Sequence, residues 1–341
     1  MIFFITILVL LLCWRCIAPI DKLYDFDSKA TLPLRGILAI FIMFHHISLN
    51  YDFSFGIQFF KHYPYFSFNL FNDMGVPIVG IFFFLTGYGL AKSLSIKGKS
   101  YLNSFLKKRL SNILPEFLFL TILISLYFIA SDLRTPNEII TRILHGNPPL
   151  PASWFMYAIV YVYISFNISS VLANAQIRKT GIIFTLFIIA YILYVHSIHW
   201  GSWWYVSIIA TPLGFFIASF EKSVNNFILN RHFLFGLTIF SIIILLMGKF
   251  LSPNAFTYIV RYGIIILTYI CMRLYNLPKW SILLWLGEIS LNIYLIHSIF
   301  IMIFKGYQLN PFIVLCLVII LSVLSAFGIK EIRQVIKTNQ S

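Results

Sequence analysis

Charge is what this sequence has least of. Asp and Glu together number 11 in 341 residues, and charged residues of both signs make up 11%. A water-soluble domain carries about a quarter charged residues, so this chain cannot clothe a soluble surface. Its mean hydropathy of +0.89 points to lipid as the main solvent. Cysteine is scarce too: Cys13, Cys16, Cys271 and Cys316 all lie in apolar runs. Cys13 and Cys16 have a C-x-x-C spacing, but no second pair completes a redox or metal site, and they read as inert thiols. The eight histidines are scattered, with no acid at a ligand spacing, so no metal centre is expected. Internal repeats, low-complexity tracts and an appended soluble domain are missing. The first apolar run has neither a positive n-region nor a small-x-small cleavage site, and reads as a retained helix rather than a signal peptide.

Apolar residues are abundant, at 60% of the chain. A spanning helix needs about 20 of them in a row. Runs near 2–19, 33–50, 74–91, 113–131, 153–172, 181–198, 203–220, 233–250, 255–275, 281–303 and 311–329 meet that need. The expected fold is therefore all-α, a polytopic transmembrane bundle of about eleven spans. The net charge of +14 does not indicate nucleic acid, since no long basic face exists to meet a phosphate backbone. Lys and Arg sit instead in short loops, where they orient the chain in the membrane. With Lys92–Arg109 placed in the cytoplasm, alternation divides the 25 basic residues strongly in favour of the inside. Only Lys61, Arg134, Arg142, Lys249, Arg261 and Lys305 fall outside. The expectation is a multi-pass protein of the plasma membrane, N-terminus outside and C-terminus inside. Two outer loops, 51–73 and 132–152, are long, and the second holds Pro148-Pro149-Leu150-Pro151, which cannot continue a helix.

Ionisable groups inside a bilayer are costly, so each is a functional candidate. In LRGILAIFIMFHHISLN, Arg35 sits at the cytoplasmic mouth and His45 and His46 in the outer half. From Arg35 to His46 is three helical turns, roughly 16 Å, so the two share one face at different depths. His45 is turned about 100° away, so at most one of the pair faces a shared cavity. In SILLWLGEISLNIYLIHSIF, Ser290, Tyr294 and His297 form a polar stripe on an apolar helix, with Glu288 deeper. His297 falls at the depth of His46. The stripe also fits a packing seam. Gly87 and Gly89 read as points of close helix approach, and Arg261 snorkels or pairs with an acid. The turn HSIHWGSWWYV is either an interfacial aromatic belt or a platform for a sugar ring.

These segments resemble the integral-membrane acyltransferase-3 family. LRGILAIFIMFHH is similar to its opening helix, an Arg followed by a His, matched by Arg35 and His46. FFFLTGYGL resembles the FF-x-x-SG-[FY] segment, with Thr86 in place of Ser. KKRLSNILPEF resembles R-x-x-R-x-x-P, matched at Arg109 and Pro115, with Asn112 where a second Arg is usual. Ser153-Trp154-Phe155 resembles the Trp-Phe that opens a later span, and LGEISLNIYLIH the near-terminal LG-x-x-S-x-x-x-YL-x-H signature. The Asp that often precedes FF is absent; Gly80 and Ile81 stand there. The resemblance covers 33–329 as a ten-helix acyltransferase core, leaving 1–32 as an additional helix and linker and 330–341 as a cytoplasmic tail.

The resemblance implies O-acylation, most often O-acetylation, of an extracytoplasmic or lipid-linked carbohydrate. The donor, acetyl-CoA or another acyl-CoA, is a co-substrate, and no tightly bound cofactor is implied. Arg35 with Lys107, Lys108 and Arg109 would meet the anionic phosphates of the donor. His46 would either accept the proton of the sugar hydroxyl or carry the acyl group, with His297 orienting it or binding substrate. Thr86, Ser290, Asn292 and Tyr294 are candidates to position the substrate or donate to an oxyanion. Trp154, Trp203, Trp204 and Arg261 are candidates for the acceptor. A flippase or a polymerase for surface saccharides is the competing expectation. The inverted repeats of a transporter and the large outer loop of a polymerase are both missing.

Overall fold

The computed structural model describes residues 1–18, 20, 22–50, 71–145, 147, 149–150, 152–247, 250–305, 307 and 309–338. Most of the first expected outer loop, with Lys61, lies outside the described residues, as do Pro148, Pro151 and Lys249. Among the described residues every regular element is helical. The α-helices are α1 (Ile2–Ile17), α2 (Leu32–Asn50), α3 (Gly75–Lys97), α4 (Phe105–Ala130), α5 (Pro136–Leu144), α6 (Trp154–Leu172) and α7 (Ile177–Ser197). They continue as α8 (Ala210–Ser219), α9 (Glu221–Leu229), α10 (Arg231–Met247), α11 (Pro253–Leu274), α12 (Ser281–Glu288), α13 (Ser290–Lys305) and α14 (Pro311–Thr338).

Helix stands in each stretch expected to span, with two departures from a straight rod. In 203–220 only α8 is α-helical, because Gly201 and the bulky Trp203-Trp204-Tyr205 run take up turns first. The 281–303 stretch is broken into α12 and α13, which meet at 74°; α9 and α10 meet at 82°. By length and composition six stretches can cross a membrane, or eight if each bent pair is one span. One of the six, Gly75–Ala130, holds both α3 and α4. The chain is a multi-pass membrane protein.

The helices gather into two compact units, each discontinuous in sequence. The first comprises Met1–Thr31, Val76–Leu102 and Ile168–Pro278. Here α1 buries Ile5, Val9 and Leu12, one face at i, i+4 and i+7, against α10 and α11. Its other faces are apolar and exposed, as lipid-facing surface is. The end of α1 is tied down: Arg15 donates to the Leu274 carbonyl (2.5 Å) and lies over the Tyr275 ring, while the Tyr275 hydroxyl donates to the Leu11 carbonyl (2.7 Å). The helix read as an addition is thus packed into this unit. Where α3 meets α8, a Cβ on Gly87 would strike the Thr211 carbonyl and one on Gly214 the Phe84 carbonyl. Gly89 faces open space, so of the two glycines singled out only Gly87 marks a close crossing.

A charge cluster joins α3, α9 and α11. The Glu221 carboxylate accepts from the Tyr88 hydroxyl (2.5 Å) and Lys92 (2.6 Å), and Arg273 lies 3.7 Å away. Arg273 also donates to Asn225 Oδ1 (3.0 Å). Removing one member of a buried ion pair leaves the other uncompensated. Glu221→Ala is expected to cost roughly 2 kcal/mol, less than a fully buried pair because Lys92 is partly solvated. Thermal unfolding in detergent, compared with Lys222→Ala, checks this.

The second unit comprises Leu32–Gly75, Asn103–Asn167 and Lys279–Ser341. Its centre is the crossing of α2 with α12. A Cβ on Gly287 would strike the Leu32 carbonyl, and one on Gly36 would lie 2.6 Å from the Leu283 carbonyl, so the two backbones touch. Around this crossing α13 packs against α2, α4 and α14. Part of the expected loop 132–152 is helical. Thr135 caps α5 through a capping box with Glu138, and Pro136 opens the helix. This T-P-x-E pattern is a readable helix start. The Thr135 N–H holds the exposed Glu138 carboxyl below its usual range.

Candidate active site

The second unit assembles the histidines. His46 on α2 and His297 on α13 place their ring centres 5.0 Å apart. His45 lies edge-on to His46, also at 5.0 Å. The two outer rings have defined tautomers. The Nδ1 of His297 meets the Ile293 carbonyl at 3.0 Å, and the Nδ1 of His45 meets the Phe71 carbonyl at 2.8 Å. A carbonyl only accepts, so both Nδ1 atoms carry the proton, and the neutral His297 ring keeps its lone pair on Nε2. His297 is 0% exposed, and among the described residues its Nε2 has no hydrogen-bond partner. A buried acceptor left unpaired costs about 1–3 kcal/mol and calls for a functional explanation. Among the described residues no side-chain hydrogen bond engages the His46 ring, which is half-buried. His46 is thus the ring whose orientation no side-chain hydrogen bond fixes among the described residues, between two that are held at Nδ1.

The cationic residues lie in the same unit. Arg35 is half-buried and interacts electrostatically with Arg109 and Tyr163. The Arg109 guanidinium stands over the Tyr163 ring at 5.9 Å, and Phe105, one turn earlier, packs edge-on against Tyr163 (5.8 Å) and Phe166 (5.1 Å). Lys107 and Lys108 are exposed. Arg35 and Arg109 therefore form the inward part of the basic set, and the two lysines its solvent-facing part.

The candidate oxyanion donors have given their protons to main-chain carbonyls. Tyr294 donates to Ala152 (3.0 Å), Ser290 to Gly287 (2.8 Å) and Asn292 to Ala326 (3.4 Å). Ala152 has φ +57°, a left-handed value that costs a non-glycine residue about 1–3 kcal/mol, and the Tyr294 hydroxyl helps to hold it. Trp154 opens α6 and is half-buried.

The remaining candidates belong to the first unit. Thr86 donates to the Phe82 carbonyl (2.9 Å). Trp203 is 56% exposed but Trp204 only 7%, its ring against Trp200 at 4.3 Å. Arg261 lies over the Tyr258 ring at 5.9 Å, with its Nε buried and unpartnered. Its neighbour Tyr262 donates to the Val206 carbonyl (2.7 Å), tying α11 to the segment that carries both tryptophans.

The sequence reading missed a second guanidinium centre in the histidine-bearing unit. Arg333 on α14 meets Glu116 (2.7 Å) beside Pro115 of α4. The signal was there, an acid after a mid-helix proline in an apolar run, but its partner lies 217 residues away.

A family model described as an acyltransferase domain matches residues 34–331. No curated protein and no solved structure matches the chain.

Proposed function

The chain belongs to the acyltransferase-3 family, and on that footing we propose that it moves an acetyl group from cytoplasmic acetyl-CoA to a hydroxyl of a carbohydrate on the far side of the plasma membrane. The observation that carries the reading is the His46 ring, unfixed by any side-chain hydrogen bond among the described residues, 5.0 Å from a His297 ring whose unprotonated Nε2 is buried and, among the same residues, unpaired. Arg35 and Arg109 bind the phosphates of the donor. Guanidinium suits phosphate through its planar donor fork. His46 accepts the proton of the sugar hydroxyl as the oxygen attacks the thioester carbonyl. The new C–O bond forms, the C–S bond breaks, and the imidazolium returns the proton to the departing thiolate. His297 acts on His46: its lone pair accepts the imidazolium N–H, and its own Nδ1–H stays on Ile293. A direct N–H···N bond between imidazoles needs ring centres about 5 Å apart, close to the observed spacing.

The proposed orientation, N-terminus outside and C-terminus inside, puts Arg35 and Arg109 on the donor side. Trp154, which opens α6 in the same unit as the histidines, is the acceptor contact this reading uses.

Mass analysis of surface glycans from cells with and without the gene tests the function. Loss of an acetyl mass from an otherwise intact glycan supports acyl transfer; a missing or shortened glycan overturns it in favour of a flippase or polymerase. Arg35→Ala is expected to raise the KM for acetyl-CoA about tenfold, since one charge-assisted phosphate contact is worth about 1.5–3 kcal/mol, with kcat changed less. Initial rates at varied acetyl-CoA check this, and an unchanged donor KM removes the phosphate role. His297→Ala is expected to lower kcat by about 100-fold, the low end of what an acid–base group contributes, because His297 acts through His46.

A further inference from the structure

A proline inside a helix removes one N–H, and its ring crowds the carbonyl four residues back. Pro115 in α4 thus deprives the Ser111 carbonyl of its helical donor. The Arg333 guanidinium takes that place. Its Nη2 donates to the Ser111 carbonyl (3.3 Å) and to Asn112 Oδ1 (2.8 Å). Its Nη1 donates to the Asn112 carbonyl (2.9 Å) and to the Glu116 carboxylate (2.7 Å). Both terminal nitrogens are committed to the break, and Glu116, itself buried, supplies the countercharge. Three residues earlier on α14, Lys330 pairs with Glu288 at 2.5 Å, at the end of α12 beside Gly287. One turn of α14 therefore grips two elements at once. One is α4, which carries Arg109; the other is α12, which touches the backbone of α2 three residues before Arg35. Phe105, just before the basic turn, packs against α6, and Arg333 holds the turn that follows it.

We propose that Arg333 is a positioning residue for donor binding: by capping the Pro115 break it sets where Arg109 stands relative to Arg35. Its own fork is spent on α4 and does not reach the donor. The inference rests on the donor reading of Arg35 and Arg109 given above. The match to the family ends at residue 331, short of Arg333, so the match assigns this residue nothing.

Coenzyme A binding to the full chain in detergent, with initial rates at varied acetyl-CoA, tests it. Arg333→Ala is expected to weaken coenzyme A binding and raise the donor KM about tenfold, because a displacement of about 1 Å in a positioned group is costly, with kcat within about twofold. Pro115→Ala restores an N–H to the Ser111 carbonyl and should recover part of the loss in the double variant. A purely structural role predicts lower protein level with unchanged donor KM. Arg109→Ala and Arg35→Ala are measured alongside. If neither weakens coenzyme A binding, the donor reading itself fails. If both do and Arg333→Ala binds coenzyme A as the parent does, only the present inference is overturned. Should Arg333→Ala not accumulate, the pair Glu116→Gln with Arg333→Gln, which leaves no buried charge, takes its place. Parental affinity in that pair overturns the proposal, and a tenfold loss supports it.

Discussion

His46→Ala is expected to lower acyl transfer by at least about 1,000-fold, within the range that general acid–base catalysis supplies, while the protein accumulates in the membrane as before. The two halves of this expectation have separate causes. The ring holds no side-chain hydrogen bond among the described residues and is half-buried, so truncating it leaves no partner stranded and loses only the contacts with the His45 and His297 rings. Stability should change by about 1 kcal/mol or less. In the proposed mechanism neither neighbour can take its place, because His45 and His297 are each held by Nδ1 on a main-chain carbonyl and cannot turn into the position of the His46 ring. His45→Ala should lose about tenfold, because it loosens the contact with His46 without removing the base. Acetate transfer from acetyl-CoA to the acceptor, normalised to membrane protein, is the readout. A fully active His46→Ala enzyme sinks the mechanism, and equal losses from both rings mean the base has been misassigned.

The second large effect is structural. Gly287→Val is expected to cost about 3 kcal/mol, at the upper end of ordinary overpacking, and to weaken donor use together with it. The added carbon would strike the Leu32 carbonyl, a main-chain atom that cannot step aside as a side chain can. The helices α2 and α12 would have to part, and Arg35, one turn along α2, would move with them. Gly36→Val should behave alike, since its Cβ would meet the Leu283 carbonyl. Gly89→Val, facing open space, serves as the control. Detergent melting temperatures rank the three, and a Gly287→Val protein as stable as the parent would show that the crossing is looser than it stands here.

Much of the candidate site's geometry is legible in the sequence, for physical reasons. Arg35, His46 and His297 are costly groups in apolar helices, and depth along a helix follows from residue number, so the meeting of His46 with His297 needed only their heights in the bilayer. The glycine beside Glu288 was visible within the LGEIS run, although not what it touches. Arg333 was hidden because its partner is set by tertiary packing rather than by period. Nothing local in RQVIKT announces a helix 217 residues earlier. The contrast between Trp203 and Trp204 was hidden for a related reason: adjacent aromatics look equal until one finds Trp200. The α5 helix lay in plain view in its capping box, but a proline-rich loop end drew the reading toward irregular chain.

The tie between Arg15 and the Leu274 carbonyl spans 259 residues, and that separation is also an interval of time. At about 5–20 residues per second of synthesis, the partners of α1 emerge roughly 10–50 s after it. Through that wait the first helix must live in the bilayer without them. Its sequence allows this: Ile5, Val9 and Leu12, which later face protein, are as content in hydrocarbon as Phe3, Leu10 and Leu11, which never leave it. The one residue for which the delay is awkward is Arg15, and it sits in the last turn of the helix, where headgroups and water can hold its charge until α11 arrives to take over.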